Sequence, residues 1–385
     1  MEWGSSLGKV AGKVFRVRHL GILTNVMALL GIATAEMALV DLSFLVSLGS
    51  GVLAAQEYYR KSAKKESKMY IPTFDDVKVA QKRISPYIHK TPVLTSSFMN
   101  ELSGAELFFK CENFQKAGVF KVRGASNAVF GLSEKKAVKG VATHSSGNHA
   151  LSLAYAAGRR GIPVIVVMPH TALEAKKAAV YGYGGSIVEC EPSTSSREET
   201  FAKVVAELGA DFVHPYNDPR VISGQATCSL ELLEQVGKLD TVVAPIGGGG
   251  MVSGTCLALS NVAPETKIYA AEPKNADDAF RSFKAGHIIA DDAPVTVADG
   301  LKVPLKDLTW HFVSSHVEDI LLASEQEIVD AMKLIWQRMK IVMEPSSAVP
   351  LATILKNKNT FAGKRVGVII TGGNVDMNKL PWMKT

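Results

Sequence analysis

From Tyr70 onward, short apolar runs alternate with stretches whose apolar residues recur every three or four positions. The runs at 140–143, 163–168, 186–191, 212–214, 241–246, 267–271 and 365–370 read as strands, and the segments 150–159, 198–208, 229–236 and 325–339 read as amphipathic helices. Another helix opens after Thr73, with Asp75 and Asp76 in its first turn, and 91–94 is extended. Strands alternating with helices predict an α/β chain, with parallel-type sheets flanked by helices on both faces.

Residues 1–69 break this rhythm. Lys9, Lys13, Arg16 and Arg18 precede an apolar run, 20–55, and the cluster Arg60, Lys61, Lys64, Lys65 and Lys68 follows it. Three readings stand side by side: membrane contact through a span within 20–55, a segment targeting an organelle, or a hydrophobic leader without a catalytic part. Asp41 counts against the span. This extension also explains the net charge of +6, because it holds nine Lys/Arg against five Asp/Glu, or +4. The body is therefore nearly neutral and has no basic patch interleaved with aromatics, which excludes nucleic acid as a partner. Its 47% hydrophobic residues suffice for large cores, and 385 residues suffice for more than one domain. Cys111, Cys190, Cys228 and Cys256 lack CxxC spacing, so they read as reduced thiols of a cytoplasmic protein.

Candidate chemistry lies where predicted strands end. Lys121 falls between an apolar strand (Leu107, Phe108, Phe109) and a helix starting near Arg123; desolvation at such a junction makes an amine a nucleophile and a base. After 140–143 comes His144-Ser145-Ser146-Gly147-Asn148-His149, whose hydroxyls, amide and helix N-terminus suit a substrate carboxylate. After 241–246 come Gly247, Gly248, Gly249 and Gly250 with Met251, a cup of backbone N–H groups for a phosphate. Neither a GxGxxG fingerprint nor a Walker sequence is present. After 365–370, Thr371 delivers one hydroxyl to a glycine-lined corner. An amine, a phosphate cup, a carboxylate loop and a lone hydroxyl match the needs of pyridoxal phosphate.

On Phe120 to Ala125, His144 to His149, the four glycines, Ala270 to Asp278, Ala298-Asp299-Gly300, Glu344-Pro345-Ser346-Ser347 and Thr371 to Asn374, residues 70–385 resemble the fold-type II pyridoxal-phosphate enzymes. Within them the match is best to the serine racemases of the serine/threonine dehydratase family. The resemblance implies that Lys121 binds the cofactor and acts as base, with Phe120 packed near the ring. It assigns Asn148 to the cofactor's phenolic oxygen, Gly247–Gly250, Met251 and Gly300 to its surroundings, and Thr371 to the pyridine nitrogen. Ser145, Asn148, His149 and Arg197 would bind substrate. Ser146, where threonine dehydratases commonly carry alanine, would serve as the acid/base on the second face, as racemisation requires.

The resemblance further implies Mg2+ or Ca2+ on Glu272, the Ala276 carbonyl and Asp278, and a homodimer. It places a small mobile domain at 140–217 and a large cofactor domain at 70–139 and 218–385. Leu151 replaces a glutamine near a regulatory nucleotide, which counts against ATP as activator, although Ser96, Ser97 and Lys116 are retained. Val119 and Ser346-Ser347 also depart from the usual pattern, and no regulatory domain is expected after Asn374. The activity implied is interconversion of L- and D-serine with elimination of serine to pyruvate and ammonia. Dehydration of L-serine, L-threonine or threo-3-hydroxyaspartate is the alternative. A membrane-tethered, non-catalytic scaffold is the third reading, opposed by the intact Lys121, Asn148 and glycines.

Overall fold

Near-continuous burial along the central strands builds two sheets, each covered on both faces. In chain order the strands are β1 (Val93–Leu94), β2 (Glu106–Cys111), β3 (Val141–His144), β4 (Val164–Pro169), β5 (Ser186–Cys190), β6 (Asp211–Phe212), β7 (Thr241–Pro245), β8 (Lys267–Pro273), β9 (Asp319–Ala323) and β10 (Arg365–Ile370). The larger sheet has the order β1-β2-β10-β7-β8-β9 and the smaller one β5-β4-β3-β6. Of the strand pairs among the described residues, only β1–β2 is antiparallel. On β7, Val242 and Ala244 enter one apolar core while Val243 enters the other; on β10, Ile369 faces the first core, and Val368 and Ile370 the second. The smaller sheet repeats this, with Val164, Val166 and Met168 of β4 on one side and Val167 on the other. Burial on both faces is what confines a parallel sheet to apolar, β-branched sequence.

This computed structural model describes residues 69–383 except 146, 173 and 291–293. The chain divides into two units, Met1–Met69 and Tyr70–Thr385. The expected span or targeting segment at 20–55 lies outside the described residues. Among the described residues no helix is long and apolar enough to cross a membrane.

The helices that border the strand ends are α1 (Lys121–Phe130), α2 (Asn148–Arg160), α3 (Pro219–Val236), α4 (Gly250–Val262), α5 (Asp278–Ala285), α6 (Asp307–His316) and α7 (Pro345–Lys356). Helix α1 starts at Lys121 itself, so the amine stands on the first turn of a helix. Two residues on, the fully buried Arg123 donates to Glu112 (2.7 Å) and Glu231 (2.7 Å), and Lys110 also donates to Glu231 (2.9 Å). Glu112 follows β2 and Glu231 lies on α3, so this network locks the start of α1 to both. Helix α3 begins at Pro219 rather than near 229, with the Asp218 carboxylate accepting from Arg220 N (2.8 Å) as its cap. Strand β6 ends at Phe212, which leaves Val213–Tyr216 as irregular chain against the site.

Candidate active site

The ends of β2, β3, β6, β7 and β10 meet at one place, as ligand sites do in open parallel sheets. Phe120 N donates to Thr371 O (2.9 Å), and Val119 pairs with Gly372, so the segment before Lys121 is stitched to the end of β10. The Lys121 ammonium donates to Pro215 O (2.8 Å) and lies 5.1 Å from the Phe120 ring centre. Burial lowers its pKa to about 8, against the pull of the Glu344 carboxylate. About a tenth of the amine is then neutral and nucleophilic at pH 7, far more than for an ordinary lysine.

The glycine loop lies one residue from that contact. A Cβ on Gly248 would sit 2.7 Å from the Tyr216 ring, one on Gly250 2.9 Å from Tyr216 Cβ, and one on Gly247 2.7 Å from the Leu301 backbone. Gly249 has φ +83° and caps α4. Side chains are thus excluded here by close approach and by backbone conformation. The result is bare backbone at a helix N-terminus, with Met251 buried in the first turn of α4. Lys121 and the glycines therefore converge on the consecutive residues Pro215 and Tyr216. That convergence suits a small cofactor with an aldehyde at one end and a phosphate at the other.

Asn148, the first residue of α2, donates from Nδ2 to both Glu344 oxygens (2.9 and 3.0 Å) and accepts at Oδ1 from Asn374 Nδ2 (2.9 Å). Its amide is oriented on both sides. Burial pushes the Glu344 carboxyl up to about 7, although the Asn148 hydrogen bond opposes this. Thr371 Oγ1 is 2.9 Å from Ser347 Oγ, which also accepts from Gly372 N (2.8 Å). Ser346 Oγ accepts from Gly300 N (3.1 Å). The two serines that depart from the usual pattern thus tie α7 to two loops of the site. Glu344, Asn374, Pro215 and His214 carry no role in the sequence reading. Glu344 and Asn374 appear there only inside the motifs Glu344 to Ser347 and Thr371 to Asn374, and Pro215 and His214 carry no signal.

On the smaller sheet, Ser145 Oγ accepts from Gly147 N (3.3 Å). His149 is sealed, with Nε2 3.0 Å from Val213 O and a buried Nδ1 that has no hydrogen-bond partner. Burial and the Lys121 charge bring its pKa down to about 3. His214 likewise falls to about 3, through burial and then the charges of His144, Lys306 and Lys121. His144 is lowered by burial and by Arg197. Arg197 has a buried Nε without a hydrogen-bond partner. Ser146 lies outside the described residues.

A model of the pyridoxal-phosphate dependent enzymes matches residues 84–372. The chain belongs to this family. Beta-hydroxyaspartate dehydratase of Paracoccus denitrificans is 73% identical over 314 residues, covering 82% of this chain and all of that protein. Serine racemase of Dictyostelium discoideum is 47% identical, covering 80% of this chain and 96% of that protein. Its crystal structure superposes with a TM-score of 0.77, covering 80% of this chain and 99% of that one. L-threo-3-hydroxyaspartate ammonia-lyase of Saccharomyces cerevisiae is 44% identical, covering 81% and 96%. These likenesses place the chain among fold-type II pyridoxal-phosphate enzymes with racemase and ammonia-lyase relatives.

For this pyridoxal-phosphate enzyme the residues present fit the cofactor: a half-buried lysine of lowered pKa, a glycine cradle that any Cβ would fill, and a neutral hydroxyl at Thr371. The expected cation ligands are also neighbours. Glu272 lies near the end of β8, Ala276 in the turn Lys274–Ala276, and Asp278 opens α5; all three are buried. Glu272 accepts from Ala279 N (3.0 Å) and Phe280 N (2.8 Å). Among the described residues no group of three or more His, Cys, Asp and Glu side chains gathers as a metal cluster.

Proposed function

We propose that this protein is an ammonia-lyase that removes water from 3-hydroxyaspartate, with oxaloacetate and ammonia as final products. The observation that carries the reading is Arg197: a guanidinium with a buried, unpartnered Nε, beside His144, whose pKa burial and the Arg197 charge lower. Positive charge in such a place suits a second carboxylate, which hydroxyaspartate has and serine lacks. The 73% identity to the Paracoccus dehydratase supports the same choice.

Bound pyridoxal phosphate supplies the electron sink that makes the substrate Cα–H acidic. Lys121, partly relieved of its charge by burial, takes that proton. The hydroxyl on Cβ leaves with a proton as water, and the resulting enamine tautomerises and takes up water to give oxaloacetate and ammonia. Asn148, held by Glu344 and Asn374, would offer its fixed amide to the cofactor. The glycine loop and the first turn of α4 would hold its phosphate. Thr371, a neutral hydroxyl, does not protonate the ring nitrogen, which suits elimination and proton exchange at Cα. Residues 140–217, carrying Arg197 and Ser145, act as the unit that closes over the substrate. Glu272, Ala276 O and Asp278 offer hard oxygen donors to Mg2+ or Ca2+, and a fall in Tm on chelation, reversed by either ion, tests that assignment.

Serine racemisation is the second reading, favoured by Ser146 and the Dictyostelium relative. Incubation with threo-3-hydroxyaspartate, L-serine and L-threonine, followed by keto-acid assay and chiral chromatography, decides between them. Oxaloacetate as the dominant product supports the proposal. D-serine formed faster than any keto acid, and lost in Ser146→Ala, replaces it with the racemase.

A further inference from the structure

Lys306 is placed where local helix chemistry disfavours it. It occupies the N-cap of α6 with extended backbone (φ −130°, ψ 172°), a position that prefers Ser, Thr, Asp or Asn. The positive end of the helix dipole also repels its charge. The capping is done instead by Asn217, whose Oδ1 accepts from Leu308 N (3.2 Å) and Thr309 N (3.4 Å). Thr309 Oγ1 accepts from Lys306 N (3.1 Å), so the backbone is held without any help from the lysine ammonium. A local rule broken and compensated from elsewhere in the chain is a mark of a functional position.

The compensation also aims the residue. Asn217 N donates to His214 Nδ1 (2.9 Å), and the same segment supplies the Pro215 carbonyl that holds Lys121. On the other side, Leu305 and Thr309 pack over Gly249, at 2.7 and 3.0 Å from where a Cβ would be. The backbone of Lys306 is therefore fixed between the phosphate loop and the His214 segment, with its side chain exposed. Its charge reaches both His144, whose protonation burial and Arg197 also disfavour, and His214, which burial holds neutral. The Lys306 ammonium makes neither an ion pair nor a hydrogen bond among the described residues.

We propose, resting on the hydroxyaspartate reading above, that Lys306 is a specificity-determining residue of this site, which with Arg197 receives the β-carboxylate of a four-carbon dicarboxylic amino acid. Arg197 comes from the smaller sheet and Lys306 from the larger one, so a substrate carboxylate between them bridges the two halves of the site. Serine and threonine offer no such group.

The test uses the holoenzyme and its Lys306→Met and Lys306→Arg variants, assayed with threo-3-hydroxyaspartate and with L-serine. Loss of one charge-assisted hydrogen bond should lower kcat/KM for hydroxyaspartate about tenfold to a hundredfold, chiefly through KM. The selectivity for hydroxyaspartate over serine should fall with it, and Lys306→Arg should restore most of it. A structural role would depress both substrates alike, and an unchanged selectivity overturns the proposal. Calorimetric titration with succinate supplies the independent arm. If the wild type eliminates serine and not hydroxyaspartate, the functional reading has failed on its own. Weaker succinate binding in Lys306→Met then still supports a dicarboxylate contact, and equal binding removes it.

Discussion

Glu344 joins the two sides of the site through a single hydrogen-bonded amide. Its carboxyl is buried against Asn148, a residue far away in sequence, and sits near the Lys121 amine. Because burial raises its folded-state pKa to about 7, from an ordinary carboxylate value in the unfolded chain, the folded protein binds the extra proton more tightly. The stability it contributes is full below the unfolded value and is lost as pH rises through about 7. In the apoenzyme, wild type should therefore lose about 1.4 kcal/mol per pH unit relative to Glu344→Gln between roughly pH 5 and 7, and nothing further above that. Urea denaturation of both proteins at stepped pH measures it. A difference that stays flat across that window would mean that Glu344 is ionised throughout. Lys121, Asn148 and Thr371 were legible as polar residues at strand ends. Glu344 was legible only as part of a motif, because its importance comes from burial and from a partner that no local pattern records.

Local periodicity made the strands legible, and β10 runs from Arg365 to Ile370 as the apolar run does. Helix α3 was legible only in its second half, because Val221 to Leu232 are buried on all sides and show no amphipathic stripe. Helix α7 is obscured in the same way, and Pro345 and Pro350 disguise it further: the first is tolerated at the N-terminus, and the second sits among buried residues inside the helix. The glycine loop shows the opposite case, since four small residues in a row are by themselves a signal of close approach. What they approach was not legible: Tyr216 and Leu301 come from distant segments. Gly248→Ala places a methyl group 2.7 Å from the Tyr216 ring and should cost about 1–3 kcal/mol of overpacking. Because Tyr216 adjoins the carbonyl that holds Lys121, the expected outcome is at least tenfold weaker pyridoxal phosphate binding by the apoenzyme, on the scale of about 1.4 kcal/mol per tenfold. Equilibrium titration followed by absorbance reads it. Unaltered affinity would mean that Tyr216 gives way freely and that the loop tolerates a side chain.

At the scale of the whole molecule, each half of the site is incomplete alone. The larger sheet supplies Lys121, the glycines, Glu344, Thr371 and Lys306, while the segments around the smaller one supply Asn148, Arg197, His214 and Pro215. The Lys176–Asp299 ion pair (3.3 Å) connects the two halves again at the rim. All of these residues belong to the unit Tyr70–Thr385. The Paracoccus relative aligns over its full length within 314 residues of this chain, so a body of this size is enough for a complete enzyme of the family. Folding and chemistry should then be independent of residues 1–68, whose basic and apolar pattern resembles nothing in the site. A chain beginning at Met69 should retain bound cofactor, Tm and kcat/KM close to those of the full chain, measured side by side with whichever substrate proves dominant. If the shortened chain folds and binds cofactor but loses turnover, the extension acts on the active site. If it keeps turnover while the full chain alone associates with vesicles, the extension serves location, and the chemistry belongs to the body.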